Sequence, residues 1–339
     1  MEHIVDIHTH CSVPDRADPL GVAQTLRGTP VGKNVVTNFR GLPAVGYREL
    51  TDFPLQQEVS HRAGITRRLM SNPFSAEVLT QVSAKPAIDC VKYTNDEVAA
   101  VVATSKGTTW GLGTVNPLDK TMLPEAERCM GPMGCKGMLI TTSWHGRYLD
   151  GEDSYWFWEY AQDKQVPIFL HPVRVPIGHD QQMDQYKLDE LVGRPFDTAM
   201  CLARMILSGL FDRFPRLKIV VAHGGGFLPA YSGRMDHAHR ARSDLRREIQ
   251  KRPTAYLKKL YFDTIVFTDH QLEYLVQQWG ADHVLLGSDY PFDMATPDPV
   301  GHVMGARKIS RADKVKILGG NATKLLGIKA PKAKAERRR

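Results

Sequence analysis

The stretch Lys218–His223, KIVVAH, runs straight into Gly224, Gly225 and Gly226. Its apolar residues do not alternate with polar ones. A strand with one wet face reads apolar-polar-apolar, whereas a strand of a parallel sheet covered by helices on both sides reads apolar throughout. The runs IFLH (168–171) and HVLLGSD (283–289) have the same character. Working outward from these, further strand candidates are His3–His8, Ile65–Asn72, Thr109–Val115, Gly137–Thr142, Pro167–His171 and Leu260–Val266. Helical patterns fall between them at Asn95–Lys106, Tyr155–Gln165, Phe196–Phe214, His270–Trp279 and Arg311–Leu326, the first capped by Thr94 or Asn95. About eight strands alternating with helices is the count of a closed (β/α)8 TIM barrel, an α/β fold. The rival is an open doubly wound sheet. It is disfavoured because no Gly-x-Gly-x-x-Gly turn follows the first strand.

The chain has 339 residues, 42% hydrophobic and 24% charged, which suits one large barrel with an insertion. Residues 1–328 are assigned to the barrel. The segment of about 11–53, rich in Gly, Pro and Asn, is read as a lid-like insertion after strand 1, and Pro73–Tyr93 as a second long connection. Both would emerge at the C-terminal face, where barrel enzymes build their sites. Residues 329–339 form a basic tail read as a disordered end. They hold six of the basic residues and one acid, so they carry +5 of the formal +7. The remaining +2 gives no ground for a nucleic-acid partner. No apolar run approaches the roughly 20 residues needed to span a bilayer. The start MEHIVDIHTH has no signal-peptide pattern, and Cys11, Cys90, Cys129, Cys135 and Cys201 form no Cys-x-x-Cys pair. The expectation is a reduced cytoplasmic protein.

Metal-type side chains gather at strand ends. Asp6-Ile7-His8-Thr9-His10 places two imidazoles two residues apart, on one side of a strand. Alone, the pair could be two ordinary histidines. However, His171 ends PIFLH, His223 ends KIVVAH and Asp289 follows VLLGS. In a barrel, the C-terminal strand ends converge on one mouth. Five such groups in one mouth point to a metal-dependent enzyme.

These residues resemble the amidohydrolase superfamily, with His-x-His on strand 1, His on strands 5 and 6 and Asp on strand 8. The closer resemblance is to its branch of aminocarboxymuconate semialdehyde decarboxylase and related enzymes. DIHTH, LHP, LVGRP, LSGLFDRFPRLKIVVAHGGGFLP, GRMDH and LLGSDYPF carry it across most of the chain, with GKN (32–34) and NFR (38–40) in the insertion. The resemblance implies one divalent metal held by His8, His10, His171 and Asp289, with zinc expected and manganese the alternative. Dinuclear relatives need a bridging lysine on strand 4. Here the strand reads GMLITT, and Lys136 stands at its wrong end. His223 is implied as the proton-transferring acid and base, with Asp289 counted beside it as catalytic. Asp6 and Asp263 are candidates to orient imidazoles. Arg40, Arg174 and Arg234 are implied to bind a substrate carboxylate. Arg234, about a dozen residues past His223, would serve a neighbouring copy, so a homodimer is expected.

The implied activity is nonoxidative decarboxylation of a small aromatic or unsaturated acid. The alternative is hydrolysis of an ester, lactone, amide or carbon–carbon bond with the same ligands. Val173 stands where the branch often carries Trp, and the following loop GHDQQMDQYKLDELVG is polar. The substrate is therefore left open.

Overall fold

A computed structural model describes residues 3–11, 30, 31, 34–39, 42–72, 80, 88–173, 176–178, 182, 183 and 185–328. Eight parallel strands carry the fold: β1 Val5–His10, β2 Arg67–Ser71, β3 Thr109–Gly111, β4 Met138–Thr141, β5 Pro167–His171, β6 Lys218–Val221, β7 Tyr261–Asp263 and β8 Val284–Leu285. They pair as β1-β2-β3 and as β4-β5-β6-β7-β8. Two seams join these arcs into a ring. At one, Gly113 bridges Met138, and Leu139 N donates to Gly113 O at 2.8 Å. At the other, Thr9 bridges Tyr290, and Ile7 N donates to Leu286 O at 2.9 Å. The sheet is a closed eight-stranded barrel, as expected.

The two-sided apolar character of the strands has a direct cause. Ile7, Leu69, Leu112, Leu139, Phe169, Val220 and Leu285 fill the barrel interior. Their neighbours Ile140, Ile168, Leu170, Ile219, Val221, Phe262 and Leu286 face outward and pack under the helices. Both faces are dry, so neither can be polar.

Among the described residues, the longer helices are α1 Phe53–Arg62, α2 Ile88–Thr104, α3 Leu123–Met130, α4 Tyr155–Asp163, α5 Arg194–Leu207, α6 Gly233–Ala241 and α7 Asp269–Trp279. The last, α8, has three consecutive parts: Arg311–Val315, the π-helical Lys316–Gly320, and Asn321–Leu325. Three of these, α1, α3 and α6, are additional to the helices expected. For α1 the signals were present. Asp52 Oδ1 accepts from Leu55 N at 3.1 Å, and Pro54 lies in the first turn.

Two boundaries are corrected. Asn95 does not cap α2, which begins seven residues earlier and absorbs the end of the second long connection. Asn95 is buried within the helix, where its amide donates to Glu125 Oε1 at 2.7 Å and Thr114 O at 3.0 Å. It ties α2 to α3 and to the end of β3. The helix expected over Phe196–Phe214 breaks after Leu207. Gly209 takes φ +77, and a Cβ there would lie 2.4 Å from Glu248 O. Within the insertion, Pro30–Val31, Asn34–Phe39 and Leu42–Tyr47 pair as a three-stranded antiparallel sheet. Arg40, Arg174 and the tail lie outside the described residues.

Candidate metal centre

Side-chain direction alternates along a strand, so the residue two beyond each interior position also faces inward, nearer the mouth. Counting on from Leu69, Leu139, Phe169 and Leu285 reaches Ser71, Thr141, His171 and, two steps on, Asp289. Tyr261 and Asp263 share the inward parity opposite the outward Phe262. Strand β1 needs a further device. Ile7 already faces the interior, so strict alternation would turn His8 and His10 outward. The β1–β2 register slips between Asp6 and Thr9, where three steps on β1 match two on β2. This bulge brings His8 and His10 back over the mouth. Bulges commonly re-aim side chains beside active sites.

All five metal-type residues meet there. Ring centroids of His8 lie 4.9 Å from His10, 5.3 Å from His171 and 5.3 Å from His223. One ligand atom from each of His8, His171, His223 and Asp289 falls within 4.8 Å of the other three. This group differs from the expected quartet, with His223 in place of His10. His10 is nonetheless adjoining, its Nε2 2.8 Å from Asp289 Oδ1. The other Asp289 oxygen is 3.4 Å from His223 Nε2. Lys136 precedes β4, at the end of the barrel away from the cluster, so it offers no bridge to a second ion.

Hydrogen bonds fix which nitrogen each imidazole offers. His8 Nδ1 donates to Asp263 Oδ2 at 2.7 Å, and His171 Nδ1 donates to the Pro172 carbonyl at 3.0 Å. Carboxylates and carbonyls only accept, so each ring keeps its Nε2 lone pair for the centre. His10 Nδ1 meets Ser71 Oγ at 3.0 Å, and that hydroxyl donates to Thr9 O at 3.3 Å. His10 thus sits between the Ser71 hydroxyl at Nδ1 and the Asp289 carboxylate 2.8 Å from Nε2. Ligands about 2.0–2.2 Å from one ion and roughly at right angles are about 3 Å apart. His8 Nε2 is buried without a hydrogen-bond partner. The donor set, this spacing and the unpartnered His8 nitrogen suit a divalent cation.

The electrostatics agree. Burial pushes the Asp289 carboxyl up, but bonds from His10 and His223 outweigh it and hold it well below the usual carboxylate range. Asp263 is likewise held low, against burial, chiefly by His8. Burial drives His10 down to about 3, so that ring is neutral and able to ligate. His8 is raised despite burial, through its bond to Asp263 and the charge of Asp289. Asp263 and Asp289, both held ionised, give the centre an attraction for positive charge.

Asp263 does more than orient His8. Its carboxylate also accepts from His223 N at 2.9 Å and Gly224 N at 2.8 Å, so one side chain from β7 positions both His8 and the turn bearing His223. That turn is tight. His223 has φ +54, and a Cβ on Gly224 would lie 2.3 Å from Val266 Cγ1. Asp289 also has positive φ, at +64. Non-glycine residues in this region cost of order 1–3 kcal/mol each and cluster at functional sites. Asp6 accepts from His8 N and Ser288 N, both at 3.1 Å, and from the Ser288 hydroxyl, clamping β1 to β8. Burial raises its carboxyl to about 6. Sequence reasoning named Asp6 and Asp263 but missed Ser71. The count by twos from Leu69 would have found it.

Arg234 lies exposed on α6. It makes no ion pair among the described residues. The nearby Asp236 instead takes Thr254 N at 2.9 Å and Thr254 Oγ1 at 2.7 Å.

Comparisons with known proteins agree with this picture. The amidohydrolase family model matches residues 5–328. The chain is 35% identical over 250 residues to a 2-amino-3-carboxymuconate-6-semialdehyde decarboxylase of Dictyostelium discoideum, covering 72% of this chain and 69% of that one. It is 29% identical over 255 residues to a gamma-resorcylate decarboxylase of Polaromonas, covering 71% and 77%. Among solved structures, a dihydroxybenzoic acid decarboxylase from Polaromonas, with bound manganese and 2-nitroresorcinol, superposes with a TM-score of 0.80 at 24% identity over 96% of this chain and 97% of that one. The 5-carboxyvanillate decarboxylase of Sphingomonas paucimobilis gives 0.79 at 22% identity over 97% and 100%. The strand-end residues, the closed barrel and the match from strand 1 to the last helix place this chain in the amidohydrolase family.

Proposed function

We propose that this chain is a metal-dependent nonoxidative decarboxylase of a small aromatic or unsaturated carboxylic acid. The observation that carries the reading is the meeting of His8, His10, His171, His223 and Asp289 at one barrel mouth, in a chain whose relatives are named decarboxylases. His8, His10, His171 and Asp289 hold one divalent metal. Zinc suits three imidazoles and a carboxylate, and manganese, present in several structural neighbours, is the alternative. When bound, the ion supplies Lewis acidity and lowers the pKa of water.

The chain's own residues do the rest. His223 carries a proton to the carbon that bears the substrate carboxylate. A π electron pair of the ring or alkene forms the new C–H bond; the bond from that carbon to the carboxylate then breaks, CO2 leaves, and its electron pair returns to the π system. Asp289, ionised and beside His223 Nε2, steadies the imidazole while it is cationic. Asp263 holds the turn on which His223 swings inward. Arg40, Arg174 and Arg234 are assigned to the carboxylate of the substrate.

Incubating the metal-loaded chain with 2,6-dihydroxybenzoate, 5-carboxyvanillate and 2-amino-3-carboxymuconate-6-semialdehyde should release CO2 from at least one of them, with a proton in its place. Water incorporation without CO2, from these or from matching esters and lactones, would move the assignment to a hydrolase.

Arg234, exposed and without an ion pair among the described residues, supports a homodimer in which each copy lends this guanidinium to its neighbour's site. Mixing inactive Arg234→Ala with inactive His223→Ala chains should restore part of the activity. A mixed dimer then holds one site with both residues intact. No recovery, or full activity of the wild-type chain as a monomer, would remove the basis for a shared site.

A further inference from the structure

Gln56 is wholly buried on the inner face of α1, where a helix packed on a barrel ordinarily places an apolar side chain. Both polar atoms of its side chain are nonetheless engaged. Nε2 donates to His10 O at 3.0 Å and to Glu49 O at 2.6 Å, and Oε1 accepts from Nη1 of the buried Arg68 at 3.0 Å. These neighbours fix the orientation of the amide, because two carbonyls need donors and a guanidinium needs an acceptor. A buried amide that gathers three separate stretches of chain does more than fill space.

The two carbonyls mark the two ends of one segment. The insertion leaves the barrel after His10, the last residue of β1, and the chain returns through the short helical turn Arg48–Leu50 just ahead of α1. One NH2 group joins the outgoing carbonyl to the returning one, so the neck of the insertion is closed across a single nitrogen atom. The outgoing end also belongs to the metal centre. His10 N–H donates to Tyr290 O at 2.9 Å, so the peptide groups on both sides of His10 are held, one by the chain beyond β8 and one by α1. The backbone sets the direction in which a strand side chain leaves it. The buried His10 ring, with Nε2 2.8 Å from Asp289, is thus aimed by a backbone that Gln56 helps to fix.

Resting on the metal-centre reading above, we infer that Gln56 is a positioning residue that locks the neck of the insertion to His10, so that closing the neck and completing the metal centre are coupled. Gln56 acts through the His10 backbone rather than on the ion. Groups that orient a metal-bound histidine typically contribute 10–100-fold in metal affinity, and one acting through the backbone belongs at the lower end. Coupling of this kind is reciprocal: what a closed neck gives the metal, bound metal gives the neck.

The test uses the full chain with Gln56→Glu and Gln56→Leu. Gln56→Glu keeps the shape and an acceptor for Arg68 but sets an oxygen against each carbonyl. Gln56→Leu removes the Arg68 bond as well. Chelator competition gives the dissociation constants for zinc and manganese, and amide hydrogen exchange, read by mass spectrometry, follows the turn Arg48–Leu50. In both variants the two metals should bind about 10-fold more weakly, and the turn should exchange faster. Were Gln56 there only to pair with buried Arg68, Gln56→Glu would match the wild type and Gln56→Leu alone would suffer. That result, or a folded Gln56→Glu chain changed only in melting temperature, would overturn the inference. The wild type gives a reading that survives failure of both variants to fold. Loading it with zinc or manganese should slow exchange at Arg48–Leu50 about 10-fold, and equal rates with and without metal would equally overturn the coupling. Absence of CO2 release by the wild type would sink the proposed function while leaving the affinities and exchange rates to stand.

Discussion

Chains carrying His8→Ala or Asp289→Asn should emerge from purification without metal and without activity, while the wild type carries one divalent ion per chain. Asp289 makes the largest contribution because its two oxygens face different partners, His10 Nε2 at 2.8 Å and His223 Nε2 at 3.4 Å. Asn is the cleaner replacement there. It tolerates the left-handed backbone that the +64° φ demands and removes the charge with little change in shape. Losing a ligand outright should exceed the 10–100-fold cost of losing a group that merely orients one. Elemental analysis of protein prepared without added metal decides the matter. A wild-type content near two, or activity persisting without metal, would contradict the single-ion centre.

The second large effect belongs to His223. His223→Asn should lose about 10²–10⁴ in kcat, the usual worth of a general acid–base, while keeping most of its metal. Asn again suits the positive φ, and it has no titratable proton to move. The geometry makes this a sharp test, because a ring nitrogen of His223 lies within 4.8 Å of ligand atoms of His8, His171 and Asp289. A variant as metal-poor as His171→Ala would make His223 a ligand and require another group to carry the proton.

The barrel and its mouth were readable because burial on both faces leaves an unmistakable pattern in IFLH, KIVVAH and HVLLGSD, and because ligand chemistry narrows residue choice at strand ends. What escaped depended on tertiary contacts. Asn95 looks like a helix cap, as Asn usually does near an acidic first turn. Its amide is instead used by Glu125 and Thr114 from neighbouring elements, which no local pattern reveals. The break at Gly209 depends on the carbonyl of Glu248, far along the chain. The bulge in β1 is also invisible locally. DIHTH reads as a plain alternating strand, and only the pairing with β2 shows the slip that aims both histidines inward. Ser71 was missed for a different reason. A serine next to Asn72 has no metal signature, and its role appears only when Leu69 is known to face the barrel axis.

The seam between β1 and β8 has a consequence for how the molecule is made. His10 and Asp289, which meet at 2.8 Å, are separated by 279 positions in the chain. During synthesis His8 and His10 leave the ribosome long before Asp289. Bringing such distant segments together is the slow, entropically costly part of folding. A growing chain thus has histidines but no finished cage, and the cluster is complete only when the first strand joins the last.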